Sequence, residues 1–444
     1  MKPSSLYGHL AELITAVRGS TGPADVVVRR YLRDRHYIGS KERRWLSTRI
    51  FGIIRHSRLL DTILAPALKS DLDAVSALVP LALAAAYAIG FAGDTRDEVQ
   101  EGITERWPLD GDRPLPGEFL SAVDVQLHTV FALPPSPVAL ALQHSFPDAP
   151  VREWAERIGL DETGTLLTAL NTEAPVSIRV NTLRCTVHEC ATRLKNEGVA
   201  TSPGVLSPFA LRLTGRAQLE SLASFREGWF EVQDEGSQLL SLLLRPEQGS
   251  RVIDACAGAG GKTMHLAALL QNTGALIAID PEAVKLKNLH ERSIRAGAKV
   301  SEIIPARLDD PVLARLTRKG DSVLVDAPCS GLGTVRRNPW LKAVRDGERE
   351  RSRPALQRDI LHRASAMVRP GGRLVYSTCT LLRGENEDVV EEFLRSEPSF
   401  VPAPAAEILR GWGIELPTEG PYVTLWPHRT GTDGIFAAVM HRSA

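Results

Sequence analysis

The sequence predicts an α/β fold: a mostly parallel sheet with an antiparallel carboxy-terminal edge, preceded by a small α+β unit and an all-helical amino-terminal part. Three observations predict it. From Arg251 onward, short apolar strand candidates alternate with helical stretches, which is the signature of a parallel sheet covered on both faces. Residues 174–214 alternate with period two on either side of a helix pattern. Residues 1–160 carry helical spacing. The expected domains are 1–160, 161–235 and 236–444, in keeping with a chain of 444 residues.

Composition bounds the reading before any motif does. A hydrophobic fraction of 43% suffices for real cores. The formal net charge is zero, so no global field argues for a partner. The distribution is uneven, however: residues 1–58 hold 12 Lys/Arg against 4 Asp/Glu, and residues 59–131 hold 4 against 12. A basic amino-terminal arm is compatible with a polyanion partner, and equally with a solvated helical surface. Cysteines stand at 185, 190, 256, 329 and 379. An odd number in a long chain without a signal-peptide pattern predicts a reducing compartment and no disulfide framework. No histidine–cysteine cluster has zinc spacing, so no metal is expected. The apolar run Val75 to Gly93 is long enough to span a bilayer, but it contains Pro80 and has no basic flank after it. A buried helix explains it better. Nothing suggests a coiled coil, and a cytoplasmic monomer is expected.

Taken in order, Ala24 to Leu32 begins an amphipathic helix that stops near Gly39. Ser40 caps the next, which carries Trp45, Leu46, Ile50, Ile53 and Ile54 at helical spacing. Prolines 134, 135 and 137, then 147 and 150, break the pattern and suggest a linker. Val176–Asn181 alternates as a strand, Val187–Glu197 is a helix that ends at Gly198, and Phe209–Leu213 alternates again, which makes a small βαβ-type unit. Gly228 to Leu244 holds a strand leading into a helix. The parallel-sheet strands are then Arg251–Asp254, Ala275–Asp280, Ser301–Pro305, Ser322–Asp326 and Arg373–Ser377, the last beginning after the turn Pro370-Gly371-Gly372. Tyr422–Trp426 and Gly434–His441 supply the antiparallel edge.

The chemistry gathers where these strands end. The first opens into Cys256-Ala257-Gly258-Ala259-Gly260-Gly261-Lys262-Thr263. A phosphate-binding P-loop would need glycine where Cys256 stands, which leaves an NTPase a distant alternative. Glycines there let the backbone lie close to a nucleoside-type cofactor at a helix amino terminus. Asp280 ends the second strand, 20 residues after Gly260, where a carboxylate can hold ribose hydroxyls. Asp309 or Asp310 follows the third strand, Asp326 and Cys329 the fourth, and Cys379 the fifth. In an open parallel sheet that edge is where ligands bind. Cys185 and Cys190 read as small buried hydrophobes. Cys329 and Cys379 sit in loops beside the cofactor candidates, and spacing alone does not distinguish their roles.

Asp326-Ala327-Pro328-Cys329-Ser330-Gly331-Leu332-Gly333-Thr334 and Ser377-Thr378-Cys379-Thr380 resemble the paired motifs of the RNA cytosine-5 methyltransferases of the RsmB/Sun family. Glu385-Asn386-Glu387, Asp254–Thr263, Gln233 to Gln238 and the tail Trp426 to Phe436 fit as well, so the resemblance covers about residues 174–444. The amino-terminal helices resemble, in general character, the NusB-like domain of many bacterial members.

The resemblance implies a class I methyltransferase Rossmann-like sheet, an RNA-binding small unit, and S-adenosyl-L-methionine as cofactor. The cofactor would lie against Cys256, Ala257, Gly258, Ala259, Gly260, Gly261 and Lys262. Its ribose would meet Asp280, its adenine Asp309, and its methionyl end Asp326. It further implies Cys379 as the thiol that attacks cytosine carbon 6, Asp326 as the partner of the base edge, and Cys329 as the group that helps expel the enzyme. Lys262 contacts the substrate or supports the cofactor loop. The family usually has proline where Ala259 stands, a departure that bears on loop stiffness more than on binding. The implied partner is an unpaired or flipped cytosine of RNA, most simply ribosomal RNA. Arg179 and Asn181, expected to face outward, and Arg336 and Arg337, with Lys342 and Arg345 nearby, are the candidate RNA contacts. A DNA cytosine-5 methyltransferase and a non-catalytic RNA-binding ribosome assembly factor are the rival readings.

Overall fold

The computed structural model describes residues 1–73, 75–108, 114–343, 347–416 and 420–444, which divide into two compact units: Met1–Asn171 with Asn338–Arg345, and Thr172–Arg337 with Asp346–Ala444. The first is helical throughout its described residues. Its centre is the helix Val79–Tyr87, buried at eight of its nine positions and half-buried at Pro80. A helix apolar on all sides belongs inside a bundle. Leu10, Leu46, Leu59, Leu64 and Phe119 pack in the same core. Among the described residues, no helix is long and apolar enough to cross a membrane.

The proline stretches that suggested a linker are helix starts. Pro137 is the first residue of the helix Pro137–Gln143, whose cap Ser136 accepts from the Ala139 N–H, and Pro147 caps Asp148–Ile158. Proline suits that position because its missing N–H would have no intrahelical partner there. These helices are tied to the bundle by the hydrogen bond from Leu59 N to Ser145 Oγ and by Arg58 with Asp148. The helical unit therefore runs past residue 160 to Asn171, and it recovers the 338–345 segment. Lys342 in that segment is no phosphate contact. It is buried, donating to the carbonyls of Arg55 and His144 and to the Asn171 side chain. Arg345 lies outside the described residues.

The second unit holds two sheets. The small one comprises β1 (Ser177–Val180), β2 (Thr201–Pro203), β3 (Ala210–Leu213) and β4 (Phe230–Val232), in the order β2-β3-β1-β4. All three pairings are antiparallel, so the βαβ unit read from the sequence is split, with β3 lying between β1 and β2. Ile178, Val180, Leu211 and Phe230 turn one face into a core with Cys190 and Leu194 of the helix Val187–Asn196.

The large sheet comprises β5 (Arg251–Asp254), β6 (Ala275–Asp280), β7 (Glu302–Pro305), β8 (Gly320–Asp326), β9 (Val368–Thr378), β10 (Phe400–Ala403), β11 (Val423–Leu425) and β12 (Ile435–Arg442). Its order is β10-β12-β9-β8-β5-β6-β7, with β11 on β12. β5 to β9 run parallel; β12 enters antiparallel between β9 and β10. The edge strand is thus β10, which the sequence reading missed. β9 starts five residues earlier than expected, because Pro370 to Gly372 lie within the strand opposite an irregular register at Gly320 to Ser322.

Candidate active site

The strand order creates the site. β5 pairs with β6 on one side and β8 on the other, so the chain reverses its direction of travel across the sheet between them. That switch point opens a crevice at the carboxyl ends of the strands. A cavity of about 400 Å³ lies there, within the range of small-molecule sites. Cys256, Gly258, Asp280, Asp309, Asp326, Cys329 and Cys379 all line it.

The glycine turn forms the floor. Gly258 has φ +53°, and a Cβ built there would meet nothing within 4 Å. Its backbone therefore faces open cavity, a cradle that fits a ligand lying close against it. Gly260, at φ +83°, faces the other way, where a Cβ would sit 2.6 Å from Leu289. Ala257, Ala259, Gly260 and Gly261 make the turn without lining the cavity. Both Asp280 oxygens accept backbone N–H groups, from Gly258 at 2.9 Å and Glu282 at 2.8 Å, so the carboxylate also shapes the turn. Asp254, beneath it, accepts from Thr263 Oγ1 at 2.7 Å, and burial pushes its pKa up to about 6. Asp309 and Asp310 separate cleanly: Asp310 caps the turn Pro311–Leu316, and Asp309 lines the cavity. Leu356 and Ile360 of the helix Gly347–Ser365 supply an apolar wall that no motif announced.

The two thiols converge from separate strands. Cys329 Sγ and Cys379 Sγ are 3.1 Å apart, and the Cys379 N–H points at the Cys329 sulfur at 3.3 Å. Glu385 and Asn386 brace their loops. Glu385 Oε2 accepts from the Ser330 N–H and from Gln357, each at 2.9 Å, and Gln357 also donates to the Pro328 carbonyl. Asn386 accepts from the Thr378 hydroxyl and donates to the Thr380 carbonyl. Gly333 leaves no room for a side chain, with the Gly434 carbonyl 2.0 Å from where a Cβ would be. The proximity of the Cys379 sulfur, and burial second, push the Cys329 thiol well above the ordinary cysteine range.

Lys262 reaches across to the same place. Its ammonium donates to Asp326 Oδ2 at 2.6 Å, while Asp326 Oδ1 accepts from Ser377 Oγ at 3.1 Å. Burial opposes the lysine charge, but attraction to Asp326 and the hydrogen bond outweigh it and raise the pKa above the lysine norm. An engaged lysine of this kind is no P-loop lysine awaiting a phosphate.

The predicted RNA contacts need correction. Arg179 and Asn181 alternate away from the small-sheet core as expected, but that outer face is covered by the rest of the unit, leaving them 2% and 4% exposed. Arg179 donates to the Gly261 carbonyl, and Asn181 to the carbonyls of Gly228 and Ala296. Arg337 pairs with Asp433 and Asp234 and reaches the Pro175 carbonyl. Arg336 spans the carbonyls of Glu173 and Gly431. Arg179 and Asn181 are internal struts, whereas Arg336 and Arg337 are half-buried and bonded within the unit. Among the described residues, no group of three or more His, Cys, Asp or Glu could hold a metal ion.

A parallel sheet with this switch point, a glycine turn after its first strand and acids after the next three defines a Rossmann-like methyltransferase. The family model described as 16S rRNA methyltransferase RsmB/F matches residues 241–441, and the ferredoxin-like domain of RsmF/B-like methyltransferases matches 146–220. A probable ribosomal RNA small subunit methyltransferase B of Bacillus subtilis is 31% identical over 305 residues, 68% of each chain. One of the same description from Synechocystis is 29% identical over 94% of this chain and 95% of its own. The crystal structure of PH0851 superposes with a TM-score of 0.77 at 26% identity, over 100% of this chain and 99% of that one. The chain belongs to the RsmB/Sun family of rRNA methyltransferases.

Proposed function

We propose that the chain forms 5-methylcytosine in ribosomal RNA through a covalent adduct between Cys379 and cytosine carbon 6, released with the help of Cys329. S-adenosyl-L-methionine is the cofactor of this family, and when bound it supplies an electrophilic methyl group. The acidic, partly apolar cavity suits a cationic nucleoside donor. Cys256 and Gly258 would bear its backbone side, with Asp280 at the ribose, Asp309 at the adenine and Asp326 towards the methionyl end.

The observation that carries the proposal is the 3.1 Å approach of two free thiols beside a lysine–aspartate pair. Carbon 5 of cytosine is a poor nucleophile. As the Cys379 thiolate bonds to carbon 6, the ring's electron pair moves toward the base edge facing Asp326, where a ring nitrogen takes a proton from water. Carbon 5 is then enamine-like and accepts the methyl group. The ring nitrogen then gives up its proton, a water molecule takes the carbon 5 proton, and that C–H electron pair re-forms the carbon 5–carbon 6 double bond as the carbon–sulfur bond breaks and Cys379 leaves as the thiolate. Cys329, which holds its proton, keeps a hydrogen-bond donor against the departing sulfur. Lys262 holds Asp326 in place and adds positive charge beside Cys379. Reaching carbon 6 requires the base to leave its stack. Monomeric action in the cytoplasm belongs to the same proposal.

The test uses total RNA, DNA and labelled S-adenosylmethionine. With Cys329→Ala, a protein–RNA adduct should survive on a denaturing gel; with Cys379→Ala, neither adduct nor product should form. Trapping by Cys379→Ala instead would reverse the roles and revive the DNA-enzyme-like mechanism in which the cysteine after Pro328 attacks. Methylation of DNA alone would exclude an RNA substrate. RNA binding without any donor affinity would leave an assembly factor.

A further inference from the structure

The glycine turn has two carbonyls that point away from the cavity, and the small sheet holds both. Arg179 Nη1 donates to the Gly261 carbonyl at 2.6 Å. Arg292 Nη1 donates to the Ala259 carbonyl at 2.7 Å, and its Nη2 is bonded to Glu231 at 2.8 Å. Arg179 and Glu231 stand directly opposite each other on β1 and β4. One cross-strand pair of the small sheet thus grips the turn on either side of Gly260, directly through Arg179 and by way of Arg292 through Glu231.

The grip is built from buried charge. Glu231 is 3% exposed and also binds Arg295; Arg179 is also tied to Gln233, the residue that follows β4. Burial lowers the Arg179 pKa to about 9, with Glu231 opposing the shift, so the guanidinium stays charged at neutral pH. Asn181 adds a third tie, to the carboxyl end of the helix Ala283–Ala296. Packing alone does not call for ions here, because buried ion pairs are seldom more stabilising than apolar residues of the same size.

Beyond Gly261 the chain leads straight to chemistry. The next residue, Lys262, binds Asp326; Asp326 accepts from Ser377; and Ser377 lies two residues before Cys379. A turn free to shift would displace both the donor cradle at Gly258 and the lysine.

We propose that Arg179 and Glu231 are positioning residues that hold the methyl-donor turn in its binding shape, so that the small sheet is part of the cofactor site rather than only a platform for RNA. The proposal rests on the methyl-donor reading of the cavity and is independent of the thiol mechanism.

The test is calorimetric titration of S-adenosylmethionine into the full chain without RNA, comparing the unaltered protein with Arg179→Ala, Arg179→Lys and Glu231→Gln. Arg179→Ala and Glu231→Gln should each weaken donor binding about tenfold, equivalent to about 1.4 kcal/mol. Arg179→Lys, which keeps a charge and one donor, should fall between. Affinity for a protein-free 16S rRNA transcript should stay within twofold, and KM for the donor should rise while KM for RNA does not. Amide exchange at Gly258 to Lys262 should quicken. If donor affinity falls less than threefold in Arg179→Lys and Glu231→Gln, or if donor and RNA affinity fall together, the residues are merely structural and the proposal is overturned. If Arg179→Ala does not fold, the two conservative variants decide. Calorimetry uses neither thiol, and adduct trapping does not report donor affinity, so either reading can fail without the other.

Discussion

Cys329 and Cys379 are the same side chain 3.1 Å apart, yet their surroundings differ. Cys379 follows the end of β9, beside the Lys262–Asp326 pair, in a loop braced by Asn386. Cys329 follows a proline and is held by Gln357 and Glu385 through its neighbours. Its proton is locked on, first by the other sulfur and then by burial. In the proposed mechanism one thiol attacks and the other stays neutral. Two identical groups in contact acquire different roles from what flanks them, as paired titrating groups do in many active sites.

The largest expected effect breaks the comparison outright. Cys379→Ala should lower single-turnover methylation by about 10³-fold or more, as loss of a nucleophile does. Cys329→Ala should leave the single-turnover rate within about tenfold while multiple turnover stops, because the adduct is not resolved. Equal losses in both variants would mean that the thiols act as an undivided unit. Next, Lys262→Met should cost about 10²-fold in the methylation rate, the size of one lost electrostatic contact. It should also slow alkylation of Cys379 by iodoacetamide without altering that of Cys329. A smaller effect concerns pH. Only a thiolate is alkylated, and a thiol with a raised pKa ionises only at higher pH. Mass spectrometry after brief alkylation at pH 7.5 should therefore find Cys329 intact, with its labelling rising as the pH is raised. Preferential labelling of Cys329 at pH 7.5 would contradict the assignment. The smallest expected change is in Glu385→Gln, which keeps the shape but weakens the bonds to Ser330 and Gln357. It should cost about 1–3 kcal/mol of stability in denaturant unfolding and blur the difference in alkylation.

Much of this was legible in the chain. The strands β5 to β8 announce themselves because each holds a short apolar run, and three of them, β5, β6 and β8, end on an acid. Asp309 could be told from Asp310 by one more step: an aspartate immediately before Pro311 is a helix cap, which leaves its neighbour free. Prolines 137 and 147 were misleading because a proline that breaks one helix also begins the next. Arg179 and Asn181 show what local pattern cannot carry. The alternation placed them correctly on the outer face of β1, but only the fold shows that another part of the chain covers that face. Gln357 and the Lys262–Asp326 pair left no signal, since their partners lie 28 and 64 residues away in sequence.

The contact between Gly333 and Gly434 has a consequence for how the enzyme is made. The Cys329 loop is pinned on one side by the Gly333 N–H to the Cys379 carbonyl and on the other by the Gly434 N–H to the Gly333 carbonyl. Gly434 immediately precedes β12, which must slot between β9 and β10 to complete the sheet. Chains are synthesised from the amino terminus, so both cysteines leave the ribosome well before the strand that locks them. Until residue 442 has emerged, a nascent chain carries both thiols without the strand whose preceding glycine pins the Cys329 loop. Late insertion of β12 therefore leaves the Cys329 loop without its Gly434 pin until the end of the chain has emerged.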